Sequence, residues 1–376
     1  MSKSLKILAL ASWYPNEKDP QQGIFIKHQL EAIGNQHKVD LHTLHESKIH
    51  SETRMHKIEG FTHFEHFYST PNGVFKQLNW YRRWLSIINT LQKGEYDLLH
   101  VHVAYPIGII ALKVQNKLDI PLLVSEHWSG YNNSIEYSGP LRKLITAKLM
   151  NTASEIIVQS EFLKTIMTQN RLLGSYNVIP NIVHFTESLD SKNHLNSDKI
   201  FMNIADHVDS DKNISGLLKS FAKASESNKN IHLLQIGNGP DEERLKKLAT
   251  DLNLNDRITW LGRLSNEKVL IQIHKCDYGI INSNQETFSV VTFEFLASKK
   301  PIIITDCGGP IEYLHKGFGI KTAVGNEEKL SEAILEMAEQ KENFEMDDLA
   351  QQVRQQFSAK SFIEKINIVY QNALSQ

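Results

Sequence analysis

The chain has 376 residues, of which 41% are hydrophobic and 22% charged, and its formal net charge is -2. These proportions are typical of globular proteins and leave enough apolar side chains for two or three domain cores. A near-neutral charge lacks the broad positive field of nucleic-acid-binding proteins, so no nucleic-acid partner is expected. The two cysteines, Cys276 and Cys307, are too few for a disulfide framework or a cysteine-rich metal site and fit a reducing compartment.

The first apolar run, residues 5–11, is short and is followed at once by Trp13, Tyr14 and Pro15. This pattern predicts a buried first strand rather than a signal peptide. The longest apolar stretch, 98–114, is interrupted by histidines and a proline and is too polar for a membrane span. We therefore expect a cytoplasmic protein.

In the first half of the chain, short apolar runs alternate with helical patterns. The predicted strands are 5–11, 39–44, 98–103, 122–125, 155–159 and 177–179. The predicted helices are 25–33, 108–117, 141–150 and 162–169. Nearly continuous apolar strands that alternate with helices predict a parallel sheet covered on both faces.

The alternation stops in a polar, aperiodic stretch and then restarts. The second set of predicted strands is 200–205, 231–236, 258–261, 278–282 and 301–305, and the helices are 215–225, 242–252, 267–276 and 289–298. The sequence thus predicts an α/β protein of two Rossmann-like parallel-sheet domains facing each other across a cleft. The expected bounds are 1–186 and 200–358, with a linker at 187–199 and a last helix, 359–376, for which packing back on the first domain is one option.

The sharpest local signal is the segment 282–312. A strand is predicted to end before a polar turn that contains Glu286, and a helix opens near Phe288. The first N–H groups of a helix have no intrahelical acceptor and lie at the positive end of its dipole. The N–H groups of Phe288, Ser289 and Val290 therefore predict an anion site that suits a diphosphate.

Two acidic residues accompany this predicted anion site. Glu294 lies about 9 Å further along the helix, at ~1.5 Å per residue, and its side chain leans back toward the ribose of a bound nucleotide. Glu286 and Thr287 are in the turn itself, where they can meet the donor sugar. A surface acid plus a helix acid is the plain alternative. The apolar surroundings of Glu294 favour a functional role, because a buried carboxylate is costly without a partner.

The Glu286–Glu294 segment, followed by Pro301, Gly308–Gly309 and Glu312, resembles the Glu-x7-Glu segment of the GT4 family of retaining glycosyltransferases, which have the GT-B fold. Further segments resemble that family in the same order along the chain. They are 12–15, 23–30, 97–102, 125–127, 178–181, 237–240 and 260–262. The resemblance therefore extends over nearly the whole chain.

The resemblance implies that the C-terminal domain binds a nucleoside diphosphate sugar and that the N-terminal domain binds the acceptor. Glu294 would then bind the ribose and Glu286 the donor sugar, while Ser289 and Val290 give N–H groups to the diphosphate. The donor, UDP- or GDP-linked, is a substrate, and no cofactor is expected.

Three more residues receive roles from the same resemblance. Lys212 would neutralise the leaving phosphate, Gly23 would approach the phosphates, and His127 would lie near the transferred sugar. His207 departs from the family pattern, because it occupies the place of a phosphate-binding arginine, whose fork of N–H donors a neutral imidazole cannot reproduce. Arg263 follows the third strand of the domain and is not assigned that role.

Two other patterns favour ordinary structural explanations. No acidic or cysteine ligand is suitably spaced around the histidines at 100, 102 and 127, so no metal site is expected. The helical pattern 79–93 has an apolar stripe flanked by Arg82 and Arg83. That helix is compatible with peripheral contact at the inner face of an anionic membrane. Packing against the sheet is the favoured alternative.

Together these features predict a metal-independent retaining glycosyltransferase of the hexosyltransferase class, active in surface polysaccharide biosynthesis. It would move a sugar from a nucleotide-sugar to a hydroxyl of a glycan or lipid-linked glycan. The alternatives are a GT-B epimerase or phosphorylase, and a non-catalytic protein that only binds a nucleotide-sugar.

Overall fold

The computed structural model describes residues 3–47, 51–70, 75–132, 137–186, 198–339 and 344–375. The chain forms two compact units, Met1–Ile182 with Ala359–Gln376, and Val183–Ser358. Residues 187–197 of the predicted linker lie outside the described residues, and Lys199, its last residue, begins a strand.

The first unit contains one mostly parallel sheet with helices on both faces. Its elements up to residue 182 are β1 (Lys6–Ala11), α1 (Ile24–Gly34), β2 (Lys38–Ser47), β3 (Thr53–Ile58), β4 (Phe61–Ser69), α2 (Lys76–Thr90), β5 (Leu98–His102), α3 (Gly108–Leu118), β6 (Leu122–Ser125), α4 (Pro140–Thr152), β7 (Glu155–Val158), α5 (Glu161–Gln169) and β8 (Tyr176–Val178). The strand order is β3-β4-β2-β1-β5-β6-β7-β8, and β3 alone among these strands runs antiparallel to its neighbour.

Strand β1 shows why the sheet is covered on both faces. Successive side chains of a strand point to opposite faces, and all but the first residue of β1 are buried. Leu8 and Leu10 pack in a core with residues of α2 to α5, whereas Ile7 and Ala9 pack in a second core with residues of α1.

The second unit contains a wholly parallel sheet. Its elements are β9 (Lys199–Ile204), α6 (Asp209–Lys212), α7 (Ile214–Ser227), β10 (Ile231–Ile236), α8 (Glu242–Asp251), β11 (Ile258–Gly262), α9 (Asn266–Lys275), β12 (Tyr278–Ile281), α10 (Val290–Ala297), β13 (Ile302–Thr305), β14 (Gly319–Thr322), α11 (Glu327–Ala338) and α12 (Met346–Gln356). The strand order is β11-β10-β9-β12-β13-β14. The order reverses between β9 and β12, and ligands of such sheets bind beyond the carboxyl ends of the strands at this switch point.

The last helix, α13 (Ala359–Leu374), returns to the first unit. Its side chains Phe362, Ile366 and Tyr370 are buried in the same core as α1. The hydroxyl of Tyr370 lies 2.9 Å from Nδ1 of His100, on the central strand β5. Helix α13 is therefore an integral part of the first unit.

The predicted strands and helices are all present, but the sequence analysis missed β3, β4 and β14. Strand β3 is an exposed edge strand, and β4 intersperses its aromatic residues with two histidines, a threonine and a glutamate. Neither contains the continuous apolar run on which the prediction relied.

The amphipathic helix predicted at 79–93 is α2, and its apolar stripe faces the protein core. Trp84, Ile87, Ile88 and Leu91 are each at most 6% exposed, and Trp80 packs against the same core. The stripe is therefore unavailable to a membrane surface, and the favoured alternative of packing on the sheet is confirmed. None of the helices in the described ranges is long and apolar enough to span a bilayer.

Candidate functional site

Two loops meet at the switch point of the second unit, one after β9 and one after β12. The amide of Asn282 donates to the carbonyl of Asn213 at 2.8 Å. Asn284 donates from its backbone N–H to Asp211 at 2.7 Å and from its side chain to Ser210 at 2.8 Å. These bonds fix the short helix that carries Lys212 relative to the turn that carries Glu286.

Lys212 and Glu286 form the central ion pair of this site. Their Nζ and Oε1 atoms are 2.6 Å apart, and Ser283 Oγ donates to the same carboxylate oxygen at 2.7 Å. The side chains are 26% and 14% exposed. Burial lowers the pKa of Lys212, but Glu286 together with Asp211 and Asp206 opposes this effect, and the net pKa is raised. The site therefore holds a fixed positive charge at neutral pH.

Helix α10 begins at Val290, two residues later than expected, because Ser289 has a left-handed backbone with φ of 58°. The N–H groups of Val290 and Val291 now come first, and no backbone carbonyl of the described residues accepts them. Phe288, which was expected to open the helix, is instead buried, with ring centroids 4.8 Å from Phe293 and 5.2 Å from Phe357. This packing anchors the turn, and Thr287 and Ser289 remain partly exposed.

Glu294 lies inside the second unit and is only 2% exposed. Burial raises the pKa of Glu294 to about 7, although Asn266 opposes this by donating to its Oε1 at 3.0 Å. The carboxyl group is therefore partly protonated near neutral pH. A ligand hydroxyl that donates to it would stabilise the anion.

His207 is enclosed rather than open to a ligand, because its side chain is 1% exposed and packs edge-on against Trp260 at 5.5 Å. Gln235 Nε2 lies 3.4 Å from its Nε2. Burial lowers the pKa of His207, with Glu242 acting in the opposite direction. The imidazole is therefore neutral, and contact with a diphosphate would require it to leave this packing.

Arg263 provides a more accessible guanidinium near the same loop. Its Nε donates to Asn238 Oδ1 at 2.7 Å, and its Nη2 donates to Asp206 Oδ1 at 2.5 Å. Asp206 directly precedes His207 in the chain. Arg263 thus links the loops that follow β9, β10 and β11.

The predicted residues of the first unit lie near the carboxyl edge of its sheet. Gly23 precedes α1 with φ of 63°, and a Cβ there would lie 3.0 Å from the carbonyl of Trp13. His127 follows β6, is 6% exposed and packs on Phe25, with ring centroids 4.5 Å apart. Burial lowers the pKa of His127 to about 3. These two residues therefore offer this edge a left-handed glycine turn, where the backbones approach closely, and a neutral imidazole.

Glu126 is a residue of this edge that the sequence analysis missed. Its fully buried carboxylate accepts the N–H groups of Ala104, His127 and Trp128 at 2.8–3.0 Å and the hydroxyl of Tyr131 at 2.8 Å. An acidic residue directly after a buried strand was the available signal. Glu126 fixes the loops that follow β5 and β6 and thereby orients His127.

His100 and His102 are packed strand histidines, both fully buried. Burial lowers the pKa of both, for His100 to about 3. Across the described ranges, no three histidine, cysteine or acidic side chains are arranged to hold a metal ion.

Two family profiles match consecutive parts of the chain. Residues 23–187 match Glycosyltransferase Family 4, and residues 185–356 match Glycosyl transferases group 1. The chain belongs to the GT4 family of glycosyltransferases. It is thus a transferase of sugars, and the matched residues include every residue of the candidate site.

Individual proteins agree with this assignment. The chain is 25% identical over 306 residues to N-acetyl-alpha-D-glucosaminyl L-malate synthase of Bacillus anthracis, covering 75% of this chain and 76% of the relative. It is 23% identical over 309 residues to alpha-monoglucosyldiacylglycerol synthase of Acholeplasma laidlawii, covering 74% of each. Anabaena HepE in complex with UDP and glucose superposes with a TM-score of 0.75 at 17% identity, over 97% of this chain and 99% of HepE. This chain therefore has the GT-B fold.

Proposed function

We propose that this glycosyltransferase is a retaining enzyme that moves a sugar from a nucleoside diphosphate sugar to a hydroxyl of a glycan or lipid-linked glycan. The observation that carries the proposal is the Lys212–Glu286 pair at the switch point, in the same turn that leads to α10. A fixed cation and free N–H groups can bind the diphosphate, and an oriented carboxylate can bind hydroxyls of the sugar.

The donor is proposed to bind along the turn and helix of the second unit. The diphosphate lies at the start of α10, where the N–H groups of Val290 and Val291 and the side chain of Lys212 receive its negative charge. Glu286 accepts hydrogen bonds from hydroxyls of the donor sugar, and Glu294 accepts hydrogen bonds from those of the ribose. Ser289 and Thr287 complete the turn. His207 is left out of this set because of its burial.

In the proposed reaction, the acceptor oxygen attacks the anomeric carbon on the face from which the diphosphate leaves. The bond from that carbon to the phosphate oxygen breaks, and an oxygen of the leaving phosphate takes the proton of the acceptor. The protein supplies no covalent nucleophile. It positions the reactants and stabilises charge on the diphosphate through Lys212 and the helix N–H groups.

The first unit is proposed to bind the acceptor, with His127 beside the transferred sugar and Gly23 near the phosphates. A neutral imidazole suits an uncharged sugar hydroxyl, since it can donate or accept one hydrogen bond without a charge. HepE binds UDP and glucose, and the Acholeplasma relative is named for a diacylglycerol product. UDP-hexoses and lipid-linked acceptors are accordingly the first substrates to test.

The test is a thermal denaturation screen against UDP-, GDP-, ADP- and dTDP-sugars, followed by transfer assays with the stabilising donor. A ligand at a hundred times its Kd stabilises the folded state by about 2.7 kcal/mol. NMR of the product should show the anomeric configuration of the donor. Stabilisation without transfer or donor hydrolysis would instead indicate a binding protein, and inversion would exclude the proposed attack.

A further inference from the structure

Helix α2 and the strands β2 and β4 line a cavity of about 360 Å³ in the first unit, which we call the α2 cavity. Its apolar wall includes Ile87 and Leu91 of α2 and Phe64 of β4, and its polar side chains come from both the helix and the strands. Cavities of this size suit small organic ligands that are oriented by a few polar groups. None of the described residues that line it is proposed to bind the donor or the acceptor.

Arg83 lies at one end of the α2 cavity. Its Nη2 donates to Thr53 Oγ1 at 2.7 Å and to the carbonyl of Glu52 at 3.1 Å, and its Nη1 donates to Ser86 Oγ at 3.4 Å. None of these acceptors is a carboxylate. The Nε atom of Arg83 is buried and has no hydrogen-bond partner among the described residues. This end therefore favours a carboxylate of a ligand, which a guanidinium binds through adjacent N–H groups.

Two carboxylates, Asp40 and Glu95, lie at the other end of the α2 cavity. Lys6 Nζ is 3.2 Å from Glu95 and 3.7 Å from Asp40, so within the described ranges the two acids share this lysine. Tyr96 also donates to Asp40 Oδ2 at 2.9 Å. A carboxylate has room for about four hydrogen bonds, so both can accept further donors. This end therefore favours an ammonium group of a ligand.

His42 lies between the two ends, two residues after Asp40 on the same face of β2. Its Nδ1 is 2.9 Å from His66 Nε2, and His66 Nδ1 is 2.8 Å from Thr53 Oγ1. Burial lowers the pKa of His42 to about 3 and that of His66 to about 4, so both rings are neutral at pH 7. His42 Nε2 has no partner among the described residues. It can donate to a carbonyl or accept from an N–H, according to which ring carries the shared proton.

The distance between the charged ends sets the length of the ligand. Thr53, the partner of Arg83, pairs with His66, which in turn pairs with Leu44 of β2. Leu44 is four residues after Asp40, so the ends are about 13 Å apart along the strand at ~3.3 Å per residue. A charge-assisted hydrogen bond of ~3 Å at each end leaves about 7 Å between the two ligand groups. An extended dipeptide spans about 7 Å.

We propose that the α2 cavity binds a small zwitterion of dipeptide length. The ligand carboxylate contacts Arg83, the ammonium group contacts Asp40 and Glu95, and a peptide bond between them contacts His42 Nε2. The side chains of a dipeptide lie against the apolar wall of α2. Binding requires neither a sugar donor nor an acceptor, so the inference goes beyond the proposed function and is tested separately from it.

Isothermal titration calorimetry of the full chain with L-alanyl-L-alanine tests the proposal. N-acetylation and C-amidation of the dipeptide should each weaken binding about tenfold or more, because each removes one charged hydrogen-bonding group. Free alanine should also bind about tenfold more weakly, since it reaches only one end.

Two variants test the ends of the cavity. Arg83→Gln should weaken dipeptide binding about tenfold or more, and Glu95→Gln, at a side chain that is 35% exposed, should weaken it about threefold to tenfold. Arg82→Gln is the matched control, because Arg82 is the exposed neighbour of Arg83 on α2. Its affinity for the dipeptide should equal that of wild type. Melting temperature and donor-induced stabilisation verify the folding of each variant.

No binding of the dipeptide at millimolar concentration would overturn the proposal, as would equal affinities for the free and the blocked dipeptides. An equal loss of affinity in Arg82→Gln and Arg83→Gln would also overturn it, because it would indicate unspecific charge attraction. If Arg83→Gln fails to fold, Glu95→Gln and the ligand series decide. Absence of sugar transfer with intact dipeptide binding would contradict the proposed function alone.

Discussion

The carboxyl edges of the two sheets have the same architecture but opposite electrostatic character. In the second unit, Lys212 and Glu286 form a partly exposed ion pair beside unbonded N–H groups. In the first unit, burial keeps His100 and His127 neutral, and the carboxylate of Glu126 is surrounded by four donors. The difference indicates that charge is handled by the second unit, whereas the first offers uncharged hydrogen-bonding groups.

The largest expected effect comes from removing the fixed cation. Lys212→Ala should lower kcat/KM about 100- to 1,000-fold, as loss of a charge-stabilising donor does elsewhere. Glu286 keeps its bond from Ser283, so the melting temperature should change little. Lys219→Ala, at an exposed lysine on α7, is the control. Full activity of Lys212→Ala would show that the Lys212–Glu286 pair does not stabilise the charge of the leaving group.

Glu294→Gln should alter the pH dependence of stability and weaken donor binding. The folded-state pKa of Glu294 is raised from 4.5 to about 7. The contribution of this carboxyl group to the unfolding free energy of wild type should therefore fall by about 3 kcal/mol as the pH rises between those values. Glutamine has no such titration, so the variant should be relatively more stable at alkaline pH. Denaturation and donor affinity are measured for both forms across this range. Unchanged donor affinity would make Glu294 purely structural.

Glu126→Gln tests the uncharged edge of the first unit. An amide cannot accept all four donors, so the unfolding free energy should fall by about 1.5–3 kcal/mol. The KM for the acceptor should rise, while thermal stabilisation by the donor stays as in wild type. The exposed Glu161→Gln on α5 is the control. An equal loss of donor binding would break the proposed division between the units.

The variant His207→Arg tests whether the arginine of the family pattern is tolerated at this position and can contact the phosphates. Because the imidazole is enclosed by Trp260 and the turn at Gly237, the larger side chain should lower stability by about 1–3 kcal/mol. The lowered pKa of His207 also predicts no activity change from this group near neutral pH. The half-exposed His232→Arg is the control. A faster and equally stable variant would place position 207 in the phosphate site.

The smallest expected effect is that of metal removal. Lys212 and the start of α10 are proposed to supply the positive charge, so transfer should persist unchanged in excess EDTA. Rates are compared before and after dialysis, with Mg²⁺ and Mn²⁺ added back. Activity that is lost in EDTA and restored by a metal ion would show that the metal, rather than Lys212 and the start of α10, stabilises the charge.

The sequence predicted the alternating elements well because buried parallel strands are apolar along their whole length. It failed at β3 and β4, where exposed or histidine-rich strands lack that pattern. Local spacing was enough to propose Glu286 and Glu294 as site residues. The contact of Lys212 with Glu286 joins residues 74 positions apart, and only the folded loops bring them together.

The burial of individual site residues also could not be predicted from the sequence. The place of His207 in the motif suggested an open phosphate contact, but Trp260 and Gln235 come from other strands and enclose it. Glu126 was missed although three of its donors, His127, Trp128 and Tyr131, are within five residues of it, because the loop after β5 that brings in the N–H of Ala104 and completes its burial is 22 positions away. Such side chains depend on neighbours that no local pattern specifies.

The return of α13 to the first unit makes the second unit an insertion within the first. During synthesis, the ribosome must complete residues 183–358 before Phe362, Ile366 and Tyr370 exist to fill the core beside α1. The unit that begins first is thus finished last. Val183 donates to the carbonyl of Phe357 at 3.0 Å, so the outgoing and returning segments are joined once the insertion has folded. Loss of the final helix would consequently open the part of the protein farthest from it in sequence.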